Sequence, residues 1–167
     1  FCVVPKKEGR VARAQDIAEI WRGDPWPKNI LLLDNDFFGN PEWRELIAEL
    51  REGNYKVSFN QGINARFLTP ETAAAIASVR YSDDQFKHRR IYTAWDNRKD
   101  EHRLVRGLQA LIDAGVTPRN ILVYMLIGYA PNETMQQVLY RFEKLRESGC
   151  LPYPMVYDNA NADLKMF

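Results

Sequence analysis

Residues 120–157 read NILVYMLIGYAPNETMQQVLYRFEKLRESGCLPYPMVY, and this stretch decides the fold. It opens with an apolar run, 120–126, of the kind buried in a parallel sheet. A turn bearing glycine and proline follows, with Asn132 as a helix cap. Met135, Val138, Leu139, Phe142 and Leu145 then recur at helical spacing, and Gly149 ends the helix. A second short run, 153–157, completes a strand–helix–strand unit. The intervening helix carries the chain back to its starting end, so the two strands run parallel.

The same unit recurs on the N-terminal side. Runs 29–33, 56–59 and 90–94 read as strands bounded by turn residues. Trp43, Leu46, Ile47 and Leu50 form one stripe of a helix starting near Pro41. Thr69, Pro70 and Glu71 supply an N-cap, a first-position proline and a first-turn acid for a helix through Ala73, Ala74, Ile76 and Ala77. Leu104, Leu108, Leu111 and Ile112 stripe the next helix, which Gly115 closes. A first helix near residues 12–21 precedes every strand. The order is α, then βα four times, then β. A parallel series needs a strand for its first helix to cover, and here that strand is missing. The expectation is one α/β domain over residues 1–167: a partial (β/α) barrel of about five parallel strands without its first strand. The strand beginning at Asn29 would then present an open edge, through which two copies could pair.

Composition narrows the function classes. A net charge of +1, from 23 Lys and Arg against 22 Asp and Glu, gives no case for a polyanion-binding surface. No apolar run approaches the roughly 18 residues that cross a bilayer, and no signal-peptide pattern opens the chain. Cys2 and Cys150 make no disulfide framework, which fits a reducing cytoplasm. The first residue is Phe1, which reads as a cut from a longer protein.

In βα barrels the site forms at the carboxyl ends of the strands, and here those ends are polar. The first expected strand ends Leu33-Asp34-Asn35-Asp36, the second Phe59-Asn60-Gln61-Gly62, the third Trp95-Asp96-Asn97 and the last Tyr157-Asp158-Asn159. The fourth differs, ending Leu126-Ile127-Gly128-Tyr129. Polar clusters beside one flat apolar edge suit a ligand that joins an amino-bearing, hydroxylated part to a planar ring. Asp and Asn also serve as turn and cap residues, so each cluster has a local structural reading beside the functional one. A second chemistry is open as well: Asp34 and Asp36, with Asp96 or Asp158, could hold Mg²⁺ for phosphoryl chemistry. No phosphate-cradling glycine loop accompanies them. A non-catalytic α/β module is the third reading.

At these residues the chain resembles the radical S-adenosylmethionine (SAM) enzymes, a family built on a partial (β/α)6 barrel. Their signature is Cys-x3-Cys-x2-Cys after the first strand, with an aromatic residue just before the third Cys. The opening Phe1-Cys2-Val3-Val4-Pro5 is what remains if the chain is cut before that pair. One deletion then accounts for the missing strand and the missing cysteines. The resemblance implies that Cys2 is one of three thiolate ligands of a [4Fe–4S] cluster in the intact parent. It implies that this cluster reductively cleaves SAM to a 5′-deoxyadenosyl radical. An external electron donor and a substrate, not nameable from the sequence, complete the reaction, and the 167 residues alone are expected to be inactive. It also implies a set of SAM-binding positions. Asp34, Asn35 and Asp36 stand where the family contacts the amino group, without its glycine pair. Asn60, Gln61, Asn64 and Arg66 stand where many members hold the carboxylate or ribose. Asp96 and Asn97 stand where ribose hydroxyls are bound. Ile127 and Gly128 match the segment against adenine, and Asp158 follows the last strand.

Other chemistry-bearing residues read as structural. Cys150 follows a helix end and reads as a buried thiol. His88, in the run Lys87-His88-Arg89-Arg90, reads as a solvated basic edge, and so does the stretch with Lys6, Lys7, Arg10 and Arg13. His102 has no metal-ligand spacing. Trp95, beside Asp96, is expected to wall the cofactor pocket.

Overall fold

A computed structural model describes residues 15–34, 36–130 and 133–157. Helices and parallel strands alternate through them: α1 (Ile17–Ile20), β1 (Asn29–Leu32), α2 (Trp43–Glu52), β2 (Lys56–Phe59), α3 (Pro70–Ser78), β3 (Arg80–Tyr81), β4 (Ile91–Ala94), α4 (Glu101–Asp113), β5 (Ile121–Ile127), α5 (Met135–Glu147) and β6 (Leu151–Val156). Among the described residues the strands form two three-stranded parallel sheets, ordered β1-β2-β3 and β4-β5-β6, with no closed barrel and with one parallel bridge, Ile63 to Thr93, between the sheets. The α/β class and the parallel strands agree with the sequence reading. The strand inventory differs by the two-residue β3, too short to leave a periodic signal.

Strand alternation gives each sheet two unlike faces. Ile121, Val123, Met125 and Ile127 are fully buried in the core with Leu104, Leu108, Leu111, Val138 and Leu145 of α4 and α5. The residues between them, Leu122, Tyr124 and Leu126, are only half-buried. In the first sheet Ile30 and Leu32 are buried while Leu31 is exposed. Among the described residues, then, one face is covered by helices, not both as the apolar runs suggested.

Strand β6 begins two residues earlier than read from sequence, and it carries Pro152 and Pro154. Tyr157 donates its N–H to the Ile127 carbonyl, 2.9 Å, so odd-numbered residues face β5. Both prolines therefore turn their missing N–H to the side away from β5, where no ladder bond is lost.

The helices obey their caps. Thr69 Oγ1 accepts from Thr72 N, and Thr72 Oγ1 accepts from Thr69 N at 2.9 Å, a reciprocal box that starts α3 at Pro70. Helix α2 starts at Trp43 rather than Pro41, with Trp43, Leu46, Ile47 and Leu50 buried as expected. Gly115, at φ +94°, follows the Ala114 cap of α4. The last helix is capped by Thr134, whose Oγ1 accepts from Gln137 N at 3.3 Å. The expected cap, Asn132, lies outside the described residues. From Thr134 the buried stripe runs Val138, Arg141, Leu145, with Met135 and Phe142 partly buried beside it, so Leu139 falls off it and is exposed. Of the first helix, Ile17–Ile20 is described; Ile17 N donates to Glu49 Oε2, tying α1 to α2. Among the described residues no helix is long and apolar enough to cross a membrane.

Candidate functional site

At the carboxyl ends of β2 and β4, beside the middle of β5, lies a cavity of about 520 Å³. Its lining combines the β2–α3 loop (Gln61, Asn64, Arg66), the end of β4 (Thr93, Asp96), Tyr124 of β5, and Asp100 and Arg103 at the start of α4. The volume is of the size that takes a nucleoside or amino-acid-like ligand.

Local chemistry aims these groups. Gly62, at φ +81°, turns the chain after β2, and Ile63 then docks on β4. Asn64 Oδ1 accepts from Arg66 N at 3.1 Å and from Arg66 Nε at 3.4 Å, which starts the short 3-10 turn Ala65–Phe67 and holds the guanidinium. The turn is pressed on α4 at Gly107, where an added Cβ would lie 2.6 Å from Leu68 Cβ. Asp96 Oδ1 accepts from the Leu126 amide at 3.0 Å, tying the end of β4 to β5. Arg103 pairs with Asp100 at 3.0 Å on the cavity wall.

The lining is electrically balanced: Arg66 and Arg103 face Asp96 and Asp100. A zwitterionic group matches such a wall better than a polyanion does. Tyr124 supplies the apolar side. Its ring stacks on Tyr92 at 5.8 Å and 8°, and meets Tyr153 edge-on at 5.7 Å. Burial pushes the hydroxyls of Tyr92 and Tyr124 above the ordinary tyrosine range, so both rings stay neutral at pH 7.

Asp36 is not among the residues that line this cavity. Burial raises its carboxyl above the usual aspartate range, and the charge of Arg66 opposes that rise. Its carboxylate packs against Gly39, where a Cβ would come within 2.7 Å of Oδ2. Among the described residues its Oδ1 is buried without a partner, as is Ser58 Oγ on β2.

Gln61, Asn64, Arg66 and Asp96 thus come together as the sequence suggested. Asn60 is half-buried at the end of β2, its N–H given to the Leu32 carbonyl, and Asp34 is exposed after β1. Asn97 instead caps the 3-10 turn Arg98–Asp100, accepting from Lys99 N at 3.0 Å. The Ile127 side chain lies on the helix-covered face, fully buried, and Gly128 donates its N–H to Glu133 Oε2 at 2.9 Å. Asn35, Asp158 and Cys2 lie outside the described residues. Trp95 does not wall the cavity: it is buried, edge-on to Tyr140, with its Nε1 donating to the Asn97 carbonyl. Cys150 is buried, and burial raises its thiol above the ordinary range, against a hydrogen bond from Ser148. Among the described residues no three His, Cys, Asp or Glu side chains converge as a metal site.

Sequence reading missed Tyr124, Thr93, Asp100 and Arg103. Tyr124 was detectable as the polar-tipped member of the alternate set in β5, and Asp100 and Arg103 as an i, i+3 pair after a strand end.

Fold and site together define an α/β protein of parallel strands with a balanced, tyrosine-floored cavity at their carboxyl ends. No family model matches the chain, and neither does any curated protein or solved structure.

Proposed function

We propose that this chain is the core of a radical SAM enzyme, a partial barrel whose strand-end cavity holds the nucleoside and amino-acid parts of SAM. The observation that carries the reading is the convergence of Gln61, Asn64, Arg66 and Asp96 with Tyr124 around one cavity. These residues follow or belong to three different strands, and the first four are positions that the resemblance marks. Arg66 binds the ligand carboxylate, and Asp96, already fixed by the Leu126 amide, accepts from ribose hydroxyls. Tyr124 offers a neutral face to the adenine. When bound, a reduced [4Fe–4S] cluster supplies the electron that breaks the SAM carbon–sulfur bond. Cys2 is its ligand in this chain. A three-thiolate cluster needs two more cysteines, and the buried Cys150 is unsuited, so those thiolates come from outside these 167 residues. The isolated chain is accordingly inactive.

The test is calorimetric titration of the chain with S-adenosylhomocysteine, which presents the same groups without needing the cluster. Saturable binding, weakened about tenfold or more by Arg66→Ala and by Asp96→Asn, is expected. Absence of binding by the wild-type chain overturns the reading. Anaerobic reconstitution of the full-length protein tests the cluster separately: its absorbance and iron content are to be lost on Cys2→Ala.

A further inference from the structure

Arg141 lies on the buried stripe of α5, and its side chain has no exposed surface. Its guanidinium touches three separate segments. Nη1 donates to the Trp95 carbonyl at the end of β4, 2.6 Å, and Nη2 donates to the Leu126 carbonyl near the end of β5, 3.0 Å. Nη2 also pairs with Glu133 Oε1 at 2.5 Å, and Glu133 Oε2 accepts from the Gly128 amide at 2.9 Å. One ion pair therefore holds both strand ends and the turn after β5. Asp96, which lines the cavity, directly follows Trp95 and accepts from the amide of the same Leu126. Both backbone groups of Leu126 are taken, one by each side of this arrangement.

Stability alone does not account for an arginine here. A well-packed apolar side chain on the same stripe would avoid the cost of burying a charge, and replacing buried ion pairs by apolar residues is often neutral or stabilising. Among the described residues Arg141 Nε moreover has no partner. What the guanidinium provides, and an apolar residue cannot, is a fixed geometry among three carboxyl-end acceptors.

We propose that Arg141 is a positioning residue. With Glu133 it locks the rim formed by the ends of β4 and β5, and so sets the place of Asp96 and of the Gly128 turn at the candidate site. The consequence for binding rests on the nucleoside reading above; the consequence for the rim does not.

The deciding variant is Arg141→Met combined with Glu133→Leu in the full 167-residue chain. It removes both charges, so neither is left buried alone. Two quantities are read at a temperature where circular dichroism shows it folded: hydrogen exchange at the Leu126 amide, whose acceptor Asp96 the variant leaves in place, and affinity for S-adenosylhomocysteine. The proposal expects a melting temperature near that of the wild type, fast exchange at the Leu126 amide, and affinity lower by about tenfold or more. A purely structural residue would move the melting temperature and leave exchange at the rim in step with the rest of β5. Unchanged exchange and unchanged affinity in the folded variant overturn the proposal. If the wild-type chain fails to bind the probe, the nucleoside reading falls and exchange alone decides: lost protection sustains the lock, retained protection overturns it. Should the double variant not fold, Arg141→Lys is read the same way, since an ammonium can face Glu133 but does not span both carbonyls.

Discussion

Thr93 and Ile63 hold the two sheets together. Thr93 Oγ1 donates to the Ile63 carbonyl at 2.7 Å, and Ile63 N donates to the neighbouring Tyr92 carbonyl at 2.7 Å. Both side chains are buried, and the bridge is the single ladder element between the sheets among the described residues. Because Gln61 and Asn64 flank Ile63, while Asp96 follows Thr93 by three residues, the same contact sets the width of the cavity.

Replacing Thr93 by Val keeps the shape and removes the donor, leaving the buried Ile63 carbonyl short of a partner. A loss of about 1–3 kcal/mol follows in urea unfolding. Thr93→Ser retains the hydroxyl and loses one methyl, so it costs less. If Thr93→Ser is the worse of the two, packing rather than the hydrogen bond joins the sheets.

Gly107 is where α4 meets the site loop. Alanine there gains about 1 kcal/mol of helix propensity. Its Cβ, however, would lie 2.6 Å from Leu68 Cβ, an atom fixed to the backbone of the Asn64–Leu68 segment. Overpacking of this kind typically costs about 1–3 kcal/mol, so the net effect of Gly107→Ala is expected to be destabilising. The affinity for S-adenosylhomocysteine should fall with it, because Arg66 moves with that segment. A more stable variant with intact affinity would show that the loop has slack.

Asp36 makes stability depend on pH in a stated direction. Burial raises its folded-state pKa above the ordinary 3.8, with Arg66 opposing. The folded chain therefore holds this proton more tightly than the unfolded chain does. The contribution favours folding at low pH and is lost as pH rises from the ordinary value through the raised one. Asp36→Asn removes a charge that folding penalises, so its melting temperature should exceed that of the wild type at pH 7. The advantage should shrink to nothing as the pH falls below the ordinary value. An advantage that persists unchanged at low pH would mean that the carboxylate is not the cause.

Cys150 is expected to be inert while folded. It is 3% exposed, and burial raises its pKa, so little thiolate is present and reagent cannot reach it. In the Cys2→Ala chain, labelling by a disulfide reagent at pH 8 should run at least about a hundredfold slower than in denaturant. Fast labelling of the native chain would place Cys150 at the surface.

Much of the fold could be read from local patterns. Trp43, Leu46, Ile47 and Leu50 form a stripe that any amphipathic helix must bury, and Thr69-Pro70 starts a helix through its own hydroxyl and ring. The parallel alternation followed from helices placed between apolar runs. Gln61 and Asp96 could be read as neighbours of one cavity because strand-end loops converge in such folds, and the resemblance added Asn64 and Arg66, which line the same cavity. These features were accessible because their causes lie within a few residues of one another.

Other features depend on contacts between distant segments. Nothing local distinguishes Asn97, which spends its side chain on the Lys99 amide, from Asp96, which reaches Leu126 thirty residues away. Trp95, directly after β4, and Tyr124, within β5, are both aromatic, yet packing sends Trp95 into the core and leaves Tyr124 on the cavity wall. Arg141 sits among apolar neighbours on its stripe, and only tertiary structure supplies the three acceptors that make its burial tolerable. Local pattern was enough for the helices, for every described strand except the two-residue β3, and for their parallel sense, because hydrophobic period and capping act locally. Which polar groups face the cavity, and which are consumed in holding it, was decided by the meeting of strand ends far apart in the chain. Hydrogen-bond satisfaction of buried groups can be settled only there.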